Sequence, residues 1–385
     1  MSIDAVINGV FAKGADLAEA VVFYSVELQT GSGAEAVTHS LPLILVWLAV
    51  AAFFFTVHLG FINFRYFKHA VDVVRGKYDD PKADGQINRF QALATSLSGT
   101  VGLGNIAGVA VAVSVGGPGA VMWMMLMGLF GMSTKFVEVM LGVKYRHHPD
   151  KDDPEKISGG PMYYLRDIFA NRNIPYVGAI LGGVFALCCI GGAVGGGNMF
   201  QANQSYVQLV NATGGDASWL ADKGWLYGVG LAFLVGLVII GGIKSIAKVT
   251  SKLVPLMGGI YLVTVLIIIA MNFAAIPEGL MSIVKMAFVP EAGLGGLLGG
   301  MLVGIQRAAF SNEAGLGSAA IVHSTAKTDK PVSQGFVGML GPFIDTVIIC
   351  MVTALVIVFT GVYEDGQGME GVSLTSRAFE SVIPG

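Results

Sequence analysis

Ser98-Gly99-Thr100-Val101-Gly102-Leu103-Gly104-Asn105 interrupts an apolar stretch, residues 89–114, that is long enough to cross a bilayer. Each glycine in a helix costs about 1 kcal/mol relative to alanine, and asparagine is helix-indifferent. Backbone unwound at this depth is prohibitive against lipid and is tolerated only around a buried cavity. Its free carbonyls can hold a cation, and its free N–H groups can hold a carboxylate. The competing reading is a small-residue packing face between helices, the usual use of Gly-xxx-Gly spacings. This stretch alone leaves both open.

The surroundings are those of a membrane protein. Hydrophobic residues make up 54% of the chain and charged residues only 13%, against about 25% charged in an ordinary soluble domain. Eight spans are expected at about 41–64, 89–114, 119–143, 175–210, 225–243, 249–273, 293–322 and 333–361. Residues 3–26 are apolar at helical spacing but interrupted by Asp4, Lys13, Asp16 and Glu19, which suits a surface or re-entrant amphipathic helix. Residues 277–292 read as a second surface helix. The net charge of −3 without a basic tract argues against nucleic acid as a partner. Cys188, Cys189 and Cys350 lie in apolar stretches, two of them adjacent, so no disulfide framework is expected. No cleaved signal peptide is visible.

Loop charge sets an orientation. The first, third, fifth and seventh loops hold 17 of the 23 basic residues, from Arg65 to Lys330, and the intervening loops are acidic or neutral. The positive-inside bias therefore predicts that the basic loops are cytoplasmic and the N-terminus is outside.

The seventh span repeats the interruption. Gly304-Ile305-Gln306-Arg307-Ala308-Ala309-Phe310-Ser311-Asn312-Glu313-Ala314-Gly315-Leu316-Gly317 places Gln306, Arg307, Ser311, Asn312 and Glu313 at membrane depth. An intramembrane charge costs about 3 kcal/mol or more, so it needs partners and usually marks a site. A structural salt bridge is the alternative for Arg307 and Glu313. Broken spans at corresponding positions of two halves point to a carrier's binding site, and their separation suggests a five-helix repeat.

Three stretches resemble the alanine or glycine:cation symporter family, the sodium:alanine symporters. They are Ser98–Val109 (SGTVGLGNIAGV), Gly116–Gly131 (GGPGAVMWMMLMGLFG) followed by Lys135-Phe136-Val137-Glu138, and Phe310–Gly317 (FSNEAGLG). Gly195–Asn203 in the fourth span is similar to a fourth family stretch, and the likeness covers nearly all of the chain beyond about residue 40. Met122-Trp123-Met124-Met125 departs mildly, with fewer aromatics than the family pattern.

The resemblance implies an all-α membrane protein, a polytopic helical bundle of the leucine-transporter type with inverted five-helix repeats, the second incomplete. Broken helices that face the substrate are a feature of that transporter, so its geometry enters here as an analogy. The implied division is an extracytoplasmic amphipathic segment at 1–40, an additional span and cytoplasmic loop at 41–88, a first repeat at 89–273, an extracytoplasmic surface helix at 274–292, and the truncated second repeat at 293–385. By resemblance, the amides of Gly102, Leu103 and Gly104 receive the substrate carboxylate. The carbonyls of Ser98 and Val101 supply half of a sodium site, and Thr100 and Asn105 match a second ion site. Phe310 matches an aromatic lid and Ser311 a polar ligand beside it, while Asn198 and Gln201 reach in from the opposite wall.

The implied activity is sodium-coupled import of alanine or glycine by a monomeric functional unit in a bacterial inner (plasma) membrane. It is not an enzyme, and sodium is a coupling ion with no further cofactor. The alternatives are a proton-coupled carrier or an inactive truncated fragment, because the family's fold continues with spans after the eighth. Lys135 and Glu138, three apart, read as an ion pair that braces the broken seventh span or relays a proton. Asp345-Thr346 in the eighth span must face the bundle interior or water, either assisting an ion or bonding to neighbours. Ser158-Gly159-Gly160-Pro161-Met162 reads as a helix start, with proline tolerated in the first turn.

Overall fold

The computed structural model describes residues 12, 14, 16, 19–30, 37–150, 153, 156–289, 296–364 and 371–383. Most of the amphipathic helix expected at 3–26 lies outside these residues. Residues 19–22 are helical, but Ser25–Thr30 (β1) pairs antiparallel with Val37–Pro42 (β2), a hairpin that the sequence reading did not contain. Val26 and Leu28 alternate with Glu27 and Gln29, a period of two that suits a strand.

The rest is helical. Leu43–His58 (α1), Ile62–Arg65 (α2) and Phe67–Val74 (α3) precede the first interrupted span, which is Arg89–Thr100 (α4) followed by Leu103–Gly116 (α5). Gly119–Lys144 (α6) and Pro161–Ala170 (α7) follow. Next comes a continuous rod of Pro175–Val194 (α8), a π-helical turn at Gly195–Met199 and Phe200–Ala212 (α9). Gly224–Ile239 (α10), Gly242–Met271 (α11) and Ile276–Met286 (α12) lead to Gly296–Asn312 (α13) and Ser318–Ser324 (α14), which lie over the seventh expected span and are separated by the expected interruption, though the pair is not among the candidate spans of the described residues. Pro331–Pro342 (α15), a π-helical stretch at Phe343–Cys350 and Met351–Thr360 (α16) form the eighth span, and Val372–Glu380 (α17) follows it. Helix α7 begins with Pro161 in its first turn, at the expected Gly-Gly-Pro start.

Among the described residues, α6, Pro175–Ala212, α11 and Pro331–Thr360 are each long and apolar enough to cross a membrane, and α4 with α5 passes as a pair bent by 43°. Helices α1 and α10 are apolar but shorter. Position in the bundle follows burial. Two-thirds (67%) of the apolar window of α6 is buried, against 11% for Pro175–Ala212. Helix α6 is thus the central post, and the core groups around its Val121, Met124, Met132 and Phe136. Glycine makes the post approachable: a Cβ on Gly304 of α13 would lie 2.3 Å from the Ala120 oxygen, and one on Gly142 would lie 2.7 Å from the Ala320 oxygen.

At one end of the bundle the two interrupted spans are sewn together. Gln86 N donates to Thr325 O at 2.8 Å, Lys327 N to Ile87 O at 2.8 Å and Thr328 N to Asp84 O at 3.2 Å. The Arg89 guanidinium adds bonds to Ser333 Oγ at 2.8 Å and Thr328 Oγ1 at 3.1 Å.

Candidate functional site

The first break falls at Val101-Gly102, between α4 and α5, where both residues have extended backbone. The amide freed at Gly102 is taken up locally by Asn105 Oδ1 at 2.7 Å. The amide of Leu103 donates to Gln201 Oε1 on α9 at 3.4 Å. Two of the three amides expected to receive a carboxylate thus already face side-chain carbonyl oxygens.

The second break runs from Glu313 to Gly317, with positive φ at Glu313 (53°), Gly315 (90°) and Gly317 (86°). Glycine is required at the last two positions by space as well as by φ. A Cβ on Gly315 would meet Leu48 at 2.9 Å, and one on Gly317 would meet Pro161 at 2.6 Å. The loosened backbone is bonded to α6. Lys135 Nζ donates to the Glu313 carbonyl at 3.1 Å, and Gly315 N donates to Glu138 Oε2 at 3.0 Å. Lys135 and Glu138 are themselves 3.8 Å apart, both almost fully buried. Asn312 Oδ1 accepts from Ala314 N at 2.9 Å, and its amide nitrogen donates to Thr346 Oγ1 at 2.9 Å. Ser318 donates its hydroxyl to the Glu313 carboxylate.

The two breaks meet. A Cβ on Gly104 would lie 3.4 Å from Ser311 Cα and 3.8 Å from the Phe310 ring. Behind that contact is a buried polar knot centred on Asp345, in the π-helical stretch of the eighth span. Its carboxylate accepts from Ser311 Oγ at 2.5 Å, Asn105 Nδ2 at 2.7 Å and Thr346 Oγ1 at 3.0 Å. Cys350 Sγ lies 3.2 Å from both Asn105 Nδ2 and Ser311 Oγ.

In front of the contact a cavity of about 680 Å³ opens between the breaks and the fourth span. Of the expected site residues, Thr100, Gly104, Asn198, Gln201, Phe310 and Glu313 line it. Phe310 is 42% exposed there and meets Phe200 edge-on at 6.0 Å. The others are not on its wall. Asn105 and Ser311 belong to the Asp345 knot, Glu138 braces the second break from behind, and Ser98 turns its hydroxyl to the Thr95 carbonyl at 2.7 Å. Val101, Gly102 and Leu103 form the first break itself. Arg307 also lies off the wall, with its Nε buried and without a hydrogen-bond partner among the described residues.

One group of residues went unassigned in the sequence, and the joining of another was not foreseen. The wall formed by Phe185, Cys188, Cys189, Gly192 and Ala193 of α8 and Gly196 of the π-helical turn follows helical spacing, a stripe that can be read from sequence once the helix face is known. The knot around Asp345 could not be, because it needs three spans in register.

A sequence profile described as the sodium:alanine symporter family matches residues 28–385. The chain is 40% identical over 346 residues to the sodium/alanine symporter AgcS of Methanococcus maripaludis, covering 89% of this chain and 74% of that protein. It is 36% identical over 341 residues to the amino-acid carrier protein AlsT of Bacillus subtilis, covering 86% and 66%. It is 34% identical over 342 residues to the probable sodium/glutamine symporter GlnT of the same organism, covering 89% and 67%. The family and these relatives are transporters, not enzymes. With a matched profile over nearly its whole length and two interrupted spans that meet beside a cavity, the chain belongs to the sodium:alanine symporter family.

Proposed function

We propose that the chain imports a small neutral amino acid, alanine or glycine, together with sodium, by alternating access in a leucine-transporter-type bundle. The observation that carries this reading is the meeting of the two breaks at Gly104 and Ser311, with a cavity on one side and the Asp345 knot on the other. Backbone released from helical bonding in two spans supplies polar groups to a shared space, as a carrier's midplane site requires. The substrate carboxylate takes the amides of Gly102, Leu103 and Gly104, displacing Gln201 from Leu103. Phe310 closes over the side chain, and Asn198 and Gln201 complete the opposite wall. Sodium binds beside the first break, through the carbonyls of Ser98 and Val101, with the Thr100 hydroxyl and the Asn105 side-chain oxygen, released from Gly102 as the carboxylate takes that amide, as further oxygen donors. The unit acts as a monomer in a bacterial inner membrane, with the N-terminus outside and the sewn ends of the interrupted spans facing the cytoplasm.

Uptake of radiolabelled alanine into proteoliposomes, with and without an inward sodium gradient, tests this. Sodium-driven, saturable accumulation with competition by glycine is expected; uptake indifferent to both sodium and proton gradients ends the symport reading. A second reading, proton coupling, has its own observation. Asp345 is a fully buried carboxylate whose nearest donors are neutral hydroxyl and amide groups, a setting that suits a carried proton. An imposed pH gradient in sodium-free buffer separates the two.

A further inference from the structure

The charges at the second break do not cancel. Lys135 is the positive charge placed against it, and this ammonium is held by Glu138 at 3.8 Å and by the main-chain oxygen of Glu313 at 3.1 Å. Glu138 is further engaged by the amide of Gly315. Among the described residues, the carboxylate of Glu313 receives only the neutral hydroxyl of Ser318 on one oxygen, Oε2, while the residue lines the cavity together with Phe310 and Gln201. Two carboxylates and one ammonium thus leave one negative charge directed at a space whose other polar edge is the first break. A carboxylate in a mostly apolar cavity is costly until a cation joins it, and a cation bonded there gains a charge-assisted hydrogen bond.

We propose that Glu313 receives the α-ammonium group of the substrate and so restricts the site to zwitterions. This rests on the cavity being the amino-acid site. The guest's carboxylate lies toward Gly102–Gly104, its ammonium toward Glu313, and its side chain under Phe310. Glu313 has a positive φ, outside the helical range, and lines the cavity. Ser318 orients the carboxylate from the first turn of α14.

The test is competition against radiolabelled alanine uptake in proteoliposomes, with L-lactate as the probe that replaces the ammonium by a hydroxyl at almost constant size. In the wild type, alanine competes and lactate does not. In Glu313→Gln the KM for alanine rises by about tenfold to a hundredfold, the alanine-to-lactate discrimination falls by the same factor, and the sodium concentration for half-maximal uptake is unchanged. Glu313→Asp gives an independent reading should the glutamine variant not fold: its shortened arm weakens alanine and improves β-alanine, whose ammonium reaches one carbon further. An unchanged KM and unchanged discrimination in the variants, beside a wild type that transports alanine, overturns the role of Glu313 and leaves the symport reading standing. A shift confined to sodium activation also overturns it, because Glu313 would then be an ion ligand. Absence of amino-acid uptake by the wild type overturns both.

Discussion

Asn105 donates from Nδ2 to the carboxylate of Asp345 at 2.7 Å, joining the residue just past the first break to the π-helical stretch of the eighth span. Ser311, in the second interrupted span, donates to the same carboxylate at 2.5 Å. One buried acidic group therefore touches both interrupted spans. A ligand that changes the charge or bonding of Asp345 acts on both at once, which is the requirement for coupling between ion and substrate.

Asp345→Asn keeps the volume and removes the charge. The expected result is a rise of roughly tenfold or more in the sodium concentration for half-maximal uptake, with a weaker apparent affinity for alanine at fixed sodium, because linkage works in both directions. Sodium-activation curves in proteoliposomes measure this. Wild-type curves for Asp345→Asn would remove the aspartate from the coupling pathway.

The Lys135–Glu138 pair gives a different signature. Lys135→Met leaves Glu138 buried without its cation, an imbalance that costs about 3–5 kcal/mol when a buried pair is broken. Glu138→Gln leaves the reverse imbalance. The double variant Lys135→Met/Glu138→Gln leaves neither charge stranded, so its melting temperature in detergent should recover most of the single-variant losses. Its uptake should stay low, because Glu313 O loses the Lys135 bond and Gly315 N keeps only a neutral acceptor. Additive losses in the double variant would count against a paired role.

Much of this architecture was legible because lipid restricts what a sequence can mean. Glycines at Gly99, Gly102 and Gly104 in one span left packing open by themselves, and only together with the polar groups from Gln306 to Glu313 in another, costly at membrane depth, did the two read as breaks. The Gly-Gly-Pro start of α7 could be read for the same local reason. The hairpin of β1 and β2 was missed because its strands are short and lie beside a segment whose apolar spacing fits a helix. The roles inside the site were less accessible. Ser311 and Asn105 carried motif signals toward substrate and ion, but which side of the break contact each occupies depends on the register of α5, α13 and the eighth span. Asp345 could be marked as inward-facing, yet the residues it would meet on other spans are more than thirty positions away at the nearest, Ser311.

Glycine spacing on α13 and α8 separates packing from flexibility. A methyl group on Gly304 would enter the backbone of α6, 2.3 Å from the Ala120 oxygen, whereas one on Gly191 of α8 meets nothing within 4 Å. Gly304→Ala should cost about 1–3 kcal/mol through overpacking and lower the melting temperature in detergent. Gly191→Ala should be neutral or stabilising by up to about 1 kcal/mol, from helix propensity alone. Equal effects of the two substitutions would mean that α13 does not pack backbone to backbone against α6.

Arg146 closes the end of the bundle where the interrupted spans are sewn together. Its guanidinium donates to Ser324 O at 3.2 Å, Ala326 O at 3.0 Å and Asp84 O at 3.2 Å, with the Asp329 carboxylate at 3.4 Å. Burial pushes this guanidinium below its ordinary pKa, and the carboxylates of Asp329 and Asp84 pull it back up; arginine stays charged regardless. The fork is suited to several carbonyls at once, so Arg146→Lys, with one ammonium, should rescue Arg146→Ala only partly. Loss of these charge-assisted bonds, worth about 1.5–3 kcal/mol, should favour opening at this end by roughly tenfold to a hundredfold. Cys189 on the cavity wall reports the opening: in a Cys188→Ser background, a membrane-impermeant thiol reagent applied from the side of the Arg146 loop should label it faster in Arg146→Ala, and alanine should slow the labelling. A lowered melting temperature with unchanged labelling would make Arg146 a structural clamp that takes no part in gating.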